Sequence, residues 1–167
     1  RSIPTTAYAD DIQDIEVLIA RGIAITDDSS SDAYLWLNDV NSFNELHVST
    51  EVYDKLAGDC KRASSESNIS LFNRKNRIIG TLMYLQSILQ GAEAKTPLTL
   101  VGEVSSIRDD MAPEAYKWIL DGIRINELNK NSSVYQDLAS NLNRAYSESS
   151  ISLFNRKNII TADLVTL

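Results

Sequence analysis

SESNISLFNRKN at residues 65–76 and SESSISLFNRKN at residues 147–158 are the same twelve letters with a single change. Sliding the 167-residue chain along itself by 82 positions extends the match without a gap, from Ile25 paired with Ile107 to Asn76 paired with Asn158. Of those 52 positions 27 are identical, including Ala33-Tyr34-x-Trp36 with Ala115-Tyr116-x-Trp118 and Asn44-Glu45-Leu46 with Asn126-Glu127-Leu128. The eight residues Ile69 to Asn76 recur unchanged, whereas the other 44 positions share only 19 identities. Self-similarity at one fixed offset marks a duplicated supersecondary unit.

Apolar residues inside the unit recur at helical spacing, and strand-like alternation is scarce. A first helix carries Tyr8, Ile12, Ile15 and Ile19 on one face, and its counterpart opens at Thr96-Pro97, a cap followed by proline at the first helical position. A second carries Ala33, Trp36, Leu37, Val40 and Phe43 after an Asp/Ser turn in which Ser30 is the expected cap, and its counterpart opens at Pro113. A third runs from Thr50 with Val52, Leu56, Cys60 and Ala63, matched by Val134, Leu138, Leu142 and Ala145. A fourth begins near Ser67, aligns Leu71, Ile78, Leu82, Leu85 and Leu89, and stops near Gly91.

The fold class that follows is all-α: a tandem duplication of a four-helix unit of about 82 residues, packed as a pseudo-two-fold helical bundle. Residues 1–90 form the first helical repeat, 91–96 the linker and 97–167 the second. A unit of about 80 residues in four short helices is near the lower limit for an adequate core, so the two are expected to share one. A solenoid of helix pairs is the alternative, for which two units are few.

Hydrophobic residues at 43% and charged residues at 23% place the chain among ordinary globular domains rather than disordered or fibrous ones. Sixteen Lys and Arg against 23 Asp and Glu give a net charge of −7, which disfavours nonspecific nucleic-acid binding. No apolar run approaches the roughly 18 residues of a bilayer span, and no signal-peptide pattern appears. A soluble protein is expected, with no membrane association. The lone cysteine, Cys60, has no partner for an intrachain disulfide and leaves the redox compartment open.

Two readings compete for the repeated phrase. In the structural one the fourth helices meet at the repeat interface, with Phe72 and Phe154 buried there. Asn73 and Asn76 are poor helix formers whose amides need partners, so an Asn-to-Asn contact across the axis is expected, with Asn76 and Asn158 at the interface. Glu66 pairs with Arg156 as Glu148 does with Arg74. In the functional one Asn73, Arg74 and Lys75, with Asn155, Arg156 and Lys157, are twin contact elements for a phosphate or an acidic partner, since arginine offers oxyanions a planar fork.

Little else points to chemistry. The single histidine, His47, aligns with Asn129, and Cys60 falls on an apolar helical stripe, which suits a core residue better than a thiol nucleophile. No Cys/His cluster suggests zinc, and residues 27–32 lack the glycine and terminal glutamate of a calcium loop. The recurring Glu45, Glu66, Glu127 and Glu148 could gather around a divalent ion, although no Glu-x-x-His motif accompanies them. Tyr34, Trp36 and Tyr53 and their counterparts Tyr116, Trp118 and Tyr135 read as core filling.

The expected function is therefore a non-catalytic assembly or adaptor protein acting through protein partners, such as a structural subunit of a virion or another multi-subunit complex. No catalytic residue, metal or cofactor is assigned. A metal-dependent hydrolase using the repeated glutamates and an anion binder using the Asn-Arg-Lys segments are the alternatives.

Overall fold

In a computed structural model of the chain, the structure describes residues 6–27, 30–46, 71–109 and 112–128, together with Thr161, Leu164 and Val165. Regular structure among the described residues is helical throughout, with no strand: α1 (Thr6–Ala24), α2 (Ser31–Glu45), α3 (Leu71–Leu89), α4 (Pro97–Val104) and α5 (Pro113–Leu128). The chain divides into two compact units, Arg1–Ala92 and Glu93–Leu167. The proposed third helix and its counterpart, and the counterpart of the fourth apart from Thr161, Leu164 and Val165, lie outside the described residues.

In the first unit α1 packs on both α2 and α3. Ile15, Leu18 and Ile19 of α1 meet Trp36, Leu37, Val40 and Phe43 of α2 and Ile78, Ile79, Leu82, Leu85 and Leu89 of α3 in one buried cluster. In α1 and α2 these positions are spaced by three and four, so each turns one apolar stripe inward, whereas α3 is buried on every side from Lys75 to Leu82. Each such side chain stabilises the fold by about 1.5–3 kcal/mol relative to exposure. Ser30 caps α2, its hydroxyl accepting from the amide of Ala33 at 3.2 Å. The helix α3 ends in a Schellman turn: Gly91 takes φ 82°, its amide donates to Ile88 at 2.9 Å, and Ala92 donates to Ser87 at 2.9 Å.

In the second unit α4 opens at Thr96, whose hydroxyl accepts from the Thr99 amide at 3.2 Å, with Pro97 at the first helical position. It packs on α5. Between Ala115 and Ile125, α5 is buried on nearly every side, whereas α2 buries one stripe only. The aromatic set divides accordingly. Trp36, Trp118 and Tyr116 are core residues, but Tyr34 is 51% exposed because it sits well round the helix from the buried stripe of α2. The core reading of Tyr34 is thus corrected.

Candidate binding surfaces

One hydrogen bond occurs twice, displaced by the repeat offset. The indole Nε1 of Trp36 donates to the carbonyl oxygen of Leu18 at 2.8 Å, and that of Trp118 donates to Leu100 at 2.9 Å. Both tryptophans and both leucines are 82 positions apart. Buried indole N–H groups need an acceptor, and the second lone pair of a helix carbonyl can supply one. Leu18 and Leu100 lie seven residues before the ungapped match begins at Ile25, so the pairing was readable by carrying the comparison back to that point.

Beside each indole is a cleft at the junction of its unit's first two helices, of about 410 Å³ in the first unit and 160 Å³ in the second. Six lining positions are equivalent in the two clefts: residues 21, 24, 25, 32, 35 and 36, and residues 103, 106, 107, 114, 117 and 118. The charges there are rearranged. In the first unit Arg21 pairs with Asp39 at 2.8 Å. The second unit has Glu103 where the first has Arg21, and the cations come instead from Lys95, 2.7 Å from Glu103 and 3.2 Å from Asp121, and from Lys117, 3.0 Å from Asp121. Asp39 and Asp121 are equivalent, so each unit keeps the aspartate and neutralises it differently. Burial pulls the Lys95 ammonium down, but its hydrogen bond to Glu103 and the charge of Asp121 outweigh that and hold it above the ordinary lysine value. Cations already engaged with carboxylates in this way offer little to an added anion.

The predicted contact segment is described only in part. Phe72, Asn73 and Arg74 lie in the first turn of α3, and what was expected of their side chains lies outside the described residues. So do Glu66, Glu148, Phe154, Asn155, Arg156, Lys157 and Asn158. Lys75 is 3% exposed, and its ammonium donates to the carbonyl of Ile25 at 2.6 Å, one residue past the end of α1. A cation there satisfies a terminal carbonyl and opposes the negative end of the helix dipole. Asn76 and Arg77 follow it into the interior.

Among the described residues no group of three or more His, Cys, Asp or Glu side chains is placed to hold a metal ion. Of the repeated glutamates, Glu45 is exposed at the end of α2, and the side chains of Glu66, Glu127 and Glu148 lie outside the described residues, as do His47 and Cys60. No described helix is long and apolar enough to cross a membrane.

A third depression is of a different kind. An open groove of about 510 Å³ runs between α1 and α2, with Leu18 and Phe43 as its floor and the exposed Val17 and Leu46 at its edge. Asp14, Asp39 and Glu45 also line it. Leu46 is 81% exposed, and its equivalent in the second unit, Leu128, is 67% exposed. Sequence periodicity did not single these leucines out, because the end of an amphipathic helix looks the same whether its last apolar residue is covered or bare. Compared with protein-family models, with curated proteins and with solved structures, the chain matches none of them.

Proposed function

We propose that the chain is a non-catalytic helical assembly or adaptor protein that works through protein–protein contacts, such as a structural subunit of a virion or another multi-subunit complex. The observation that carries this reading is the exposed leucine pair, Leu46 and Leu128. A single bare leucine on a protein surface is ordinary. Here the same Asn-Glu-Leu triplet stands at equivalent positions of both repeats, and each copy leaves its leucine in solvent. Leaving an apolar side chain in water where a polar one would serve costs solubility, and a contact that covers it gives it a use.

The frame for that surface is, in the same proposal, a four-helix unit given twice and packed about a pseudo-two-fold axis with Phe72 and Phe154 at the join. The repeated tryptophan hydrogen bond supports the duplication. Expressing residues 1–92 and 93–167 separately tests the packing. Neither piece should unfold cooperatively alone, and a stable, cooperative half refutes the shared core.

The function is tested by the native mass of the protein in extracts of its source. The wild-type chain should run as part of a larger complex, and Leu46→Glu with Leu128→Glu should release it without lowering its melting temperature. A wild-type chain that runs alone, or a complex indifferent to both substitutions, contradicts the reading.

A further inference from the structure

We infer that the groove between α1 and α2 is a docking site for a basic amphipathic helix of a partner protein, an inference that rests on the adaptor reading and names the partner's chemistry. Two antiparallel helices joined by a short connection leave a trough in which a third helix can lie, its apolar residues at i, i+3, i+4 and i+7 reaching the floor. Leu18 and Phe43 provide that floor, and Val17 and Leu46, both exposed, extend it to the edge.

The charge around the groove selects the occupant. Asp14 and Glu45 stand exposed beside it, while Asp39 is already joined to Arg21. On the outer face of α1, Asp10 lies one turn before Asp14 and adds a third carboxylate. A helix flanking its apolar face with lysine or arginine meets these carboxylates, whereas an acidic helix, or a second copy of this chain with its net charge of −7, is repelled.

The second unit supplies an internal contrast. Its equivalents of Leu18, Phe43 and Leu46 are Leu100, Ile125 and Leu128, so the apolar positions are kept. Its equivalents of Asp14, Val17 and Ser42 are Thr96, Thr99 and Arg124, so a carboxylate is lost and a cation gained. Glu45 and Leu46 recur as Glu127 and Leu128, so the copies differ at Asp14, Val17 and Ser42 while the apolar character and one carboxylate are kept.

The test uses the full chain labelled with ¹⁵N and an 18-residue helical peptide carrying leucines at i, i+3, i+4 and i+7 between lysines. Its controls are the same peptide with lysines changed to glutamates and one with its residues scrambled. Saturable amide shifts centred on Val17, Ser42 and Leu46, with affinity at least about tenfold above both controls, are expected. Val17→Thr with Ser42→Arg, which installs the second unit's residues at exposed positions, should weaken the peptide about tenfold and leave the melting temperature unchanged.

Absence of binding, equal binding of the scrambled peptide, shifts centred elsewhere, or indifference to the double substitution overturns the inference. Nuclear Overhauser contacts from Val17 and Leu46 to another segment of the free chain would do the same, since the groove would already be filled. A failure here, with a native complex that still depends on Leu46 and Leu128, sinks the groove and spares the adaptor. Loss of that complex sinks both.

Discussion

Replacing Gly22 by alanine places a methyl group where the structure has no room. A Cβ built there would lie 2.8 Å from Cζ2 of Trp36 and 3.0 Å from both Cγ1 and Cδ1 of Ile79. Carbon atoms are comfortable at about 3.5–4.0 Å, so one neighbour must retreat by several tenths of an ångström. Ile79 can rotate, but the indole is rigid and is pinned by its 2.8 Å bond to the Leu18 carbonyl. Overpacking of this kind costs about 1–3 kcal/mol, and stretching the indole bond forfeits up to about 1 kcal/mol more. Against this, alanine in a helix interior gains about 0.8–1 kcal/mol over glycine. A net loss of about 0–3 kcal/mol is expected in urea denaturation followed by circular dichroism. Gly102 in α4 provides the control: nothing lies within 4 Å of its added Cβ, so Gly102→Ala should stabilise by about 0.5–1 kcal/mol. Ile79→Val removes one of the clashing atoms, and a double-mutant cycle with Gly22→Ala should show a favourable coupling of at least about 0.5 kcal/mol. If Gly22→Ala stabilises the protein as Gly102→Ala does, the seating of Trp36 against α1 is wrong.

Trp36→Phe and Trp118→Phe each remove one indole donor and part of a buried ring, and each should cost about 1–3 kcal/mol by chemical denaturation. Matching losses would agree with the matching hydrogen bonds. Lys75→Met exchanges an enclosed ammonium for an apolar chain of similar length and leaves the Ile25 carbonyl without that donor; a loss of about 1–3 kcal/mol is expected, and a melting temperature unchanged in phosphate-free buffer would refute the capping role. For Lys95, held above the ordinary value of 10.5, the added stability is complete below that pH and disappears as pH rises through the folded-state value. The stability difference between wild type and Lys95→Met should therefore be constant at neutral pH and shrink above pH 10.5, and a difference that grows with alkalinity would contradict the ion network.

Much of the helical framework was legible because its signals are local. Ser30, Thr96-Pro97 and Gly91 mark helix ends through groups that act within one turn, and all three do so in the structure. The stripe Ala33, Trp36, Leu37, Val40 and Phe43 was readable from spacing alone, and α2 buries it. Tyr34 escaped because its twin Tyr116 has the same neighbours in sequence yet lies in a helix enclosed on nearly every side. Spacing reports which face is apolar and says nothing of how many faces are covered. Lys75 escaped for a related reason: its carbonyl partner is 50 residues away in sequence, and charge suggested a solvated face or an anion contact before a cap. The groove was invisible because it is made by two helices together and by the exposure of Leu46, neither of which periodicity encodes.

In the proposed function the apolar edge at Leu46 meets a protein partner. A photo-crosslinking amino acid placed at position 46, with one at the exposed Asn38 as control, puts that to the test in the native source. A discrete adduct from position 46 alone, whose crosslinked peptide is a lysine- or arginine-flanked amphipathic helix, is the expected result. No adduct at position 46, or the same adducts from position 38, would contradict the account.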